Sequence, residues 1–441
     1  MIEVIDVLDK VIKLGESLGA EEVFIYGKEH TVMSYEILVG NISSRISTTV
    51  GAQIIVSIGK RHGSSYTTDV SEEGLLRALS DAISIARASS EDPEWPGVPN
   101  FSEKYEEVKD VEYDIESASR AVQELYKSLL KDNRLVYNVG YEGTIEKTFI
   151  ANSYGAEIIT TEYGNGLTAY LSVQTSQGAS PGIWDYIVSK EQIVDSSALL
   201  ENLEFLAKKA ESLIKARDMT VPTIWHPSAL MSILTYGFLP AIKGDAIHKK
   251  SSRYLEKFGE SIFSKSLTIY DDPTRKDLVN YVPYDADGVR TKRIDIVKAG
   301  TLINSIWNYH WASLEGRETT GHATRNPRPG EYGINVHNIS IEFGRRSLDD
   351  LISEISEGVY ILSLQGAHST NPESGRFSVM ANPAFYIKDG EIVGCLLGAS
   401  ITSSVDDVLN KFKEATSDYK EGFRSTLPWA LIDNIRILSR V

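Results

Sequence analysis

Hydrophobic positions recur along this 441-residue chain at two spacings, and these spacings predict its elements. The first 20 residues carry apolar positions three and four apart, which predicts an amphipathic helix. Residues 21–70 alternate apolar and polar positions, which predicts antiparallel strands with a turn or bulge near Gly51 and another between Gly59 and Gly63. A helical spacing returns over residues 71–88, with Ser71 as its N-cap.

The same order of elements repeats after residues 89–100, a proline-rich segment that predicts a linker. A helical pattern over residues 113–132 precedes a strand-rich stretch and a second helical pattern over residues 195–216. We therefore predict an N-terminal α/β region of two helix–strands–helix units, residues 1–100 and 101–217, whose strands can merge into one sheet.

The pattern of apolar and polar residues changes from Met219 onward. A helical pattern over residues 227–239 is followed by short alternating runs separated by turns such as Lys388-Asp389-Gly390, which is typical of hairpins. This pattern predicts a β-rich, barrel- or sandwich-like C-terminal domain over residues 218–441. The predicted fold class is therefore α+β.

Composition limits the classes of function. The net charge of −16 disfavours binding to nucleic-acid phosphates. No apolar stretch approaches the roughly 20 residues that cross a bilayer, and no secretion signal opens the chain. A single cysteine, Cys395, excludes an internal disulfide and a cysteine zinc cluster. We expect a cytoplasmic protein that binds neither nucleic acid nor membrane.

Two motif-like fragments have simpler structural interpretations. The string Gly-Ala-Ser-Pro-Gly at 178–182 matches a nucleophile elbow, but Pro181 lacks the amide that would donate to the oxyanion. We interpret it as a turn between strands. An acidic group lacks the distal glutamate of a calcium loop, and we interpret it as turn chemistry. Its members are Asp271, Asp272, Asp285 and Asp287.

The histidines show no local metal-binding spacing, since no two lie closer in sequence than His310 and His322. We expect them to be satisfied surface or loop side chains. The polar loop at residues 314–338 has two interpretations. Its Arg325 and Arg328 suit a clamp on a peptide carboxylate, or the loop packs against another domain or subunit.

Three fragments of the C-terminal region together resemble the TldD/PmbA family, once described as modulators of DNA gyrase. They are the Asp-Ala-Asp-Gly run at 285–288, Thr-Gly-x-Ala-x-Arg at 320–325, and Gly-x-Phe-Ser at 375–378 ahead of the hairpin at 386–392. The N-terminal α/β region also fits, so the resemblance covers nearly the whole chain.

The resemblance implies a specific comparison at the family's zinc helix, which carries His-Glu-x-x-x-His between a His-Pro and a Gly-Asp. Here the same interval places Thr235 at the first histidine, Tyr236 at the glutamate and Pro240 at the second histidine. The region of the third ligand, a cysteine, corresponds to residues 417–428, which hold none. Threonine and tyrosine are poor replacements for a zinc ligand and a general base.

This pattern resembles the PmbA/TldE-type branch, and it implies a chain with no metal or catalytic residue of its own. Zinc is expected on a TldD-type partner, in a heterodimer or higher hetero-oligomer that degrades small or unfolded peptides, with a homodimer when the chain is alone. Activity is expected only with that partner. The residues expected in the peptide cavity are Tyr236, Asp245, Arg325 and Asn335. Two alternatives stay open: an autonomous hydrolase with a non-canonical site, and a non-catalytic peptide-binding homodimer.

Overall fold

The computed structural model describes residues 2–191, 195–328 and 331–440. The amino-terminal helix α1 (Ile2–Ser17) confirms the predicted amphipathic helix. Helix α2 (Glu72–Ala88) begins at Ser71, whose hydroxyl accepts the amide of Gly74 at 3.2 Å, as expected for an N-cap. Helices α3 (Ile115–Leu129) and α4 (Ser197–Lys209) complete the helices of the N-terminal region within the described residues.

Both predicted N-terminal units contribute to one sheet, as the sequence indicated. Within the described residues it has eight strands in the main order β3-β2-β1-β5-β6-β4, with β7 and β8 also paired to β6. The strands are β1 (Glu22–Leu38), β2 (Asn41–Ile58), β3 (Arg61–Thr67), β4 (Lys104–Glu107), β5 (Arg134–Asn152), β6 (Glu157–Thr175), β7 (Gly178–Ala179) and β8 (Ile183–Ser189).

The expected turn or bulge near Gly51 is wrong, because β2 runs unbroken from Asn41 to Ile58 and its pairing with β1 and β3 shows no register shift there. The first turn of the hairpin lies instead at Val39 and Gly40, both with positive φ. The predicted turn after Gly59 is confirmed, because β2 ends at Ile58 and β3 begins at Arg61. The proline-rich segment packs against the sheet, since Val98 is fully buried and Trp95 donates to the hydroxyl of Ser57 at 2.8 Å. The proposed domain boundaries stay a prediction.

The C-terminal region is β-rich, as predicted, and is organised around a long final strand. That strand, β24, pairs with β10, β16, β22 and β23 of a branched sheet. The strands are β9 (Leu213–Lys215), β10 (Met219–Trp225), β11 (Ile269–Asp271), β12 (Ile294–Lys298), β13 (Thr301–Leu302), β14 (Ala323–Arg325), β15 (Tyr332–Ile334), β16 (Ile339–Ile341), β17 (Glu357–Ile361), β18 (Leu364–Gln365), β19 (Arg376–Ala381), β20 (Ala384–Lys388), β21 (Glu391–Leu397), β22 (Ala399–Ser404), β23 (Phe412–Gly422) and β24 (Ser425–Ser439).

Short helical segments connect these strands along the chain. They are α5 (Pro227–Ile233), a π-helical turn (Leu234–Phe238), α6 (Leu239–Ile242), α7 (Gly244–His248), α8 (Tyr309–Leu314), α9 (Leu348–Ser353) and α10 (Val405–Asn410). A 3₁₀ turn lies at Ala367–Ser369. Among the described residues, no helix is both long and apolar enough to cross a membrane.

The two regions share a hydrophobic core. Leu199, Leu203 and Leu206 on one face of α4 belong to the same buried cluster as Phe385 and Ile387 of β20. Each side chain of this kind contributes roughly 1.5–3 kcal/mol on burial. This shared core fixes the first sheet relative to the C-terminal region and leaves a large cavity between them.

Candidate functional site

A cavity of about 1210 Å³, which we call the chamber, lies between the first sheet and the C-terminal region. Successive side chains of a strand point to opposite faces. Even-numbered residues of β1 and β5, including Lys28, His30, Thr144 and Glu146, face the chamber. Odd-numbered apolar residues of β1 such as Val23 instead belong to the core beneath α1 and α2. One face of the first sheet is therefore a polar chamber floor.

One face of α5 and the π-helical turn forms the opposite wall. Its lining residues recur at helical spacing: Ser228, Met231, Ser232, Thr235 and Tyr236. The other face of the segment, which includes Leu230, Ile233 and Phe238, is buried in the C-terminal core. Tyr236 is 43% exposed. The amphipathic pattern of this segment therefore separates the core from the chamber wall.

The helical segment continues through Pro240 as α6. The distortion comes earlier, where the amide of Leu239 donates to the carbonyl of Leu234, five residues back. The guanidinium Nη1 of Arg253 donates to the carbonyl of Gly237 at 2.7 Å. Glycine suits this position because a Cβ would meet Cγ2 of Val405 at 2.3 Å. Pro240 lies outside the chamber lining.

The donor set at this wall does not fit zinc. Zn²⁺ prefers cysteine, histidine and carboxylate ligands, whereas Ser228, Ser232, Thr235 and Tyr236 offer neutral hydroxyls. In the part of the chain that the structure describes, no group of three or more histidine, cysteine and acidic side chains could hold a metal ion. Cys395 is fully buried in β21, and burial raises the pKa of its thiol to about 12.

A β-hairpin tip closes another side of the chamber. Residues 422–425, at the turn between β23 and β24, line it within the region that the resemblance assigned to the third zinc ligand. Phe423 is 83% exposed there. The neighbouring Arg424 has a φ of 55°, and its guanidinium donates to the carbonyl of Val336 at 2.9 Å. The amide of Asn280 also donates to the carbonyl of Gly422, at 2.9 Å, so the turn is firmly anchored.

The acidic residues interpreted as turn chemistry are largely buried, so that expectation was incomplete. Asp285 and Asp287 do lie in a turn, but they also tie it to the segment at 320–325. Oδ2 of Asp285 accepts the amide of Ala323 at 2.9 Å. Oδ1 of Asp287 lies 3.1 Å from Nη2 of Arg325, and its Oδ2 accepts the Tyr332 hydroxyl at 2.7 Å. Two of the family-like fragments are thus bonded to each other.

Arg325 borders the chamber, but its guanidinium is already engaged. Besides Asp287, it donates to Oε1 of Gln53 at 3.1 Å and lies over the ring of Tyr332 at 4.0 Å. Its predicted partner in a carboxylate clamp, Arg328, lies on the exposed part of the loop. That loop contains the short hairpin of β14 and β15, while residues 329 and 330 lie outside the described residues.

The remaining predicted cavity residues lie elsewhere. Asp245, on α7, pairs with Lys249 at 3.6 Å and is not part of the chamber lining. Asn335 also lies outside the lining, with its side-chain oxygen accepting the amide of Val336 at 3.0 Å. Of the four candidates, the structure brings Tyr236 and Arg325 to the chamber. Their role in peptide binding stays a prediction.

His226, His322 and His337 lie in loop segments, as expected, but their side chains are buried. Nε2 of His322 lies 3.2 Å from Oδ2 of Asp271, which also accepts the backbone amide of His337. Burial lowers the pKa of His337 to about 4. Burial also lowers the pKa of His226 to about 3. The nearby carboxylate of Asp185 forms an ion pair with Lys420 at 2.7 Å. His226 and His337 therefore serve as packed, neutral polar groups.

Sequence reasoning missed a row of charged residues on the chamber floor. His30, Glu146 and Glu162 are direct neighbours across β1, β5 and β6. Nζ of Lys28 lies 2.7 Å from Oε1 of Glu146, and Nδ1 of His30 lies 3.4 Å from Oε2 of the same carboxylate. The available signal was charge at strand positions that alternate with apolar ones, but no motif revealed that the three strands align.

The chain matches known proteins over nearly its whole length. The PmbA/TldA metallopeptidase C-terminal domain matches residues 218–439, and PmbA/TldA metallopeptidase domain 1 matches residues 39–86. An uncharacterised protein of Methanocaldococcus jannaschii is 26% identical over 393 residues, which cover 88% of this chain and 89% of that protein. The metalloprotease PmbA of Escherichia coli O157:H7 is 25% identical over 421 residues, covering 89% and 86% respectively.

The crystal structure of TldE from Thermococcus kodakarensis has the same fold. It superposes with a TM-score of 0.91 at 26% identity and covers 98% of this chain and 100% of that chain. The chain belongs to the PmbA/TldD family, as its sequence fragments indicated.

Proposed function

We propose that this protein is a PmbA/TldE-like subunit of a heteromeric, TldD-type metallopeptidase that degrades or processes small or unfolded peptides in the cytoplasm. The chain contributes the chamber and stabilises its partner, while the zinc ion belongs to the TldD-type subunit. The observation that carries the proposal is the α5–π-turn wall. By the sequence resemblance this wall corresponds to the family's zinc helix, and it presents hydroxyl groups of Thr235 and Tyr236 to the chamber.

The chamber suits a short peptide. Its volume of about 1210 Å³ exceeds the roughly 300–1000 Å³ of typical small-molecule pockets. The lining combines aromatic surfaces, including Trp184, Tyr186 and Phe423, with charged groups on the floor. Aromatic surfaces bind peptide side chains of varied shape, and polar groups fix orientation. This composition favours peptides over a single small metabolite.

Co-expression with a TldD-type chain from the same genome tests the proposal. We expect the two chains to co-purify and to cleave an unstructured peptide, with chelator-sensitive activity that neither chain shows alone. The isolated chain is expected to elute as a homodimer without zinc or peptidase activity. Full activity of the partner alone would contradict the subunit role. Zinc-dependent cleavage by this chain alone would favour the autonomous hydrolase instead.

A further inference from the structure

The chamber floor contains a carboxylate with no partner of its own. Among the described residues, Glu162 makes no hydrogen bond or ion pair, although the cations Lys28, Arg424 and Lys190 act on it at longer range. Its neighbour Glu146 contacts two side chains, Lys28 at 2.7 Å and His30 at 3.4 Å. The floor therefore has one satisfied carboxylate and one that is left open.

The strand register places the two carboxylates where they destabilise the sheet. Glu162 lies directly opposite Glu146 on the adjacent strand. Directly opposed side chains have Cβ atoms only about 4.5–5.5 Å apart, and like charges in such a pair destabilise a sheet. Both residues line the chamber. A glutamine at position 162 would fill the same space without the repulsion, so folding alone does not require a second carboxylate beside Glu146.

We propose that Glu162, together with Glu146, binds a primary ammonium group of a peptide in the chamber. The proposal rests on the function proposed above, because it names the substrate group that the chamber recognises. An ammonium group offers three donors and one positive charge, which match the open carboxylate of Glu162 and the second carboxylate beside it. A peptide carries this group at its free amino terminus or on a lysine side chain.

The protonation of the pair agrees with this role. Burial and the adjacent Glu146 raise the pKa of Glu162 to about 8. Burial also acts to raise the pKa of Glu146, but the hydrogen bond with His30 and the ion pair with Lys28 lower it to about 2. In the empty chamber Glu162 thus holds a proton at neutral pH, and an arriving ammonium group favours its release. Tyr26 is the other titratable group that interacts with Glu162 at this position.

Isothermal titration calorimetry with the full-length chain tests the proposal by measuring the affinity of four versions of one short peptide whose other side chains are uncharged. The amino terminus is free or acetylated, and a single lysine is present or replaced by norleucine. We expect peptides with an ammonium group to bind at least about tenfold more tightly than the peptide with none. Comparing the two singly charged peptides identifies which source the site takes.

The matched variants are Glu162→Gln and Glu157→Gln. Glu157 lies on the same strand, outside the chamber lining, and pairs with Lys104 at 2.5 Å. Glu162→Gln should remove the preference for ammonium peptides and also the strengthening of wild-type binding to the lysine peptide between pH 6 and pH 7.5. Glu157→Gln should leave both intact. A structural role for Glu162 would not produce this pH-dependent difference.

Equal binding of charged and uncharged peptides would overturn the proposal, as would no detectable binding of any of them, or an unchanged preference in Glu162→Gln. These results are independent of the proposed subunit role. That role fails if the TldD-type partner is fully active alone, whereas the ammonium site fails on peptide affinity measured without cleavage.

Discussion

Nη2 of Arg325 lies 3.1 Å from Oδ1 of Asp287, and both side chains are almost completely withdrawn from solvent. The pair joins the β14 strand to the turn that follows Tyr284, and it does so at the edge of the chamber. Removing one partner of a buried ion pair lowers stability, because the other charge then stays buried without compensation. This relationship makes Arg325 a support of the chamber wall before any contact with substrate.

Replacing Arg325 with methionine should therefore destabilise the chain. The variant leaves Asp287 buried without its cation, which typically costs about 3–5 kcal/mol. Urea unfolding followed by tryptophan fluorescence measures the change. Arg77→Met is the control, because Arg77 pairs with Asp69 and Glu73 on the exposed surface, and no measurable change is expected there. A wild-type unfolding midpoint in Arg325→Met would refute the supporting role.

The π-helical turn predicts a second packing effect. Gly237→Ala places a Cβ against Val405, and forced overpacking costs about 1–3 kcal/mol. Thermal unfolding should show the loss. Val405→Ala removes the contacting methyl group, so the double variant should be more stable than the sum of the single changes predicts. Additive effects in this double-mutant cycle would show that the close approach does not limit the residue at 237.

Buried His226 predicts a dependence of stability on pH. Burial lowers its pKa to about 3 in the folded chain, whereas the unfolded value is about 6.5. Below pH ~6.5 His226 binds a proton in the unfolded chain but not in the folded chain, so stability falls as the pH falls toward 4. His226→Asn keeps a side-chain acceptor for the amide of Ser228, which His226 now provides.

We therefore expect His226→Asn to reduce the loss of stability between pH 6.5 and pH 4, by up to about 1.4 kcal/mol for each pH unit. Unfolding in urea across this range measures the difference between the two chains. Parallel pH profiles for the wild type and the variant would mean that His226 is protonated in the folded state.

Glu162 predicts the opposite pH dependence. A carboxyl whose folded pKa is raised to about 8 keeps its proton after the unfolded chain has released it, so stability falls as the pH rises from about 4.5 to 8. Glu162→Gln should be more stable than the wild type at pH 8 by at least about 1 kcal/mol, with a smaller difference at pH 5. A variant less stable than the wild type at pH 8 would contradict the repulsion between Glu162 and Glu146.

The sequence predicted local elements well where the pattern was regular. The Ser71 N-cap, the merging of both N-terminal units into one sheet and the β-rich C-terminal region are all present. Gly51 was misread as a turn because a glycine within a strand carries the same letter as one in a loop. Its actual constraint is the ring of Tyr66, whose Cε2 lies 2.6 Å from where a Cβ would stand.

The candidate site was only partly predictable. Tyr236 lies at the chamber because helical spacing fixes which face of α5 and the π turn is apolar. The row formed by His30, Glu146 and Glu162 depends on the pairing of β1 with β5, more than a hundred residues further along the chain, and on the register of β5 with β6; one sequence holds no information on either register. The burial of Asp287 and His322 likewise depends on long-range packing. Their local sequence is typical of turns and loops, so it did not indicate that they are core residues.

One titration tests most directly whether the zinc-carrying partner needs this chain for activity. Increasing amounts of this purified chain are added to a fixed, zinc-loaded TldD-type chain while hydrolysis of an unstructured peptide is recorded. We predict that hydrolysis rises from near zero and saturates at a fixed stoichiometry of the two chains, with zinc remaining on the partner. Full hydrolysis before any of this chain is added, unchanged by its addition, would contradict the claim.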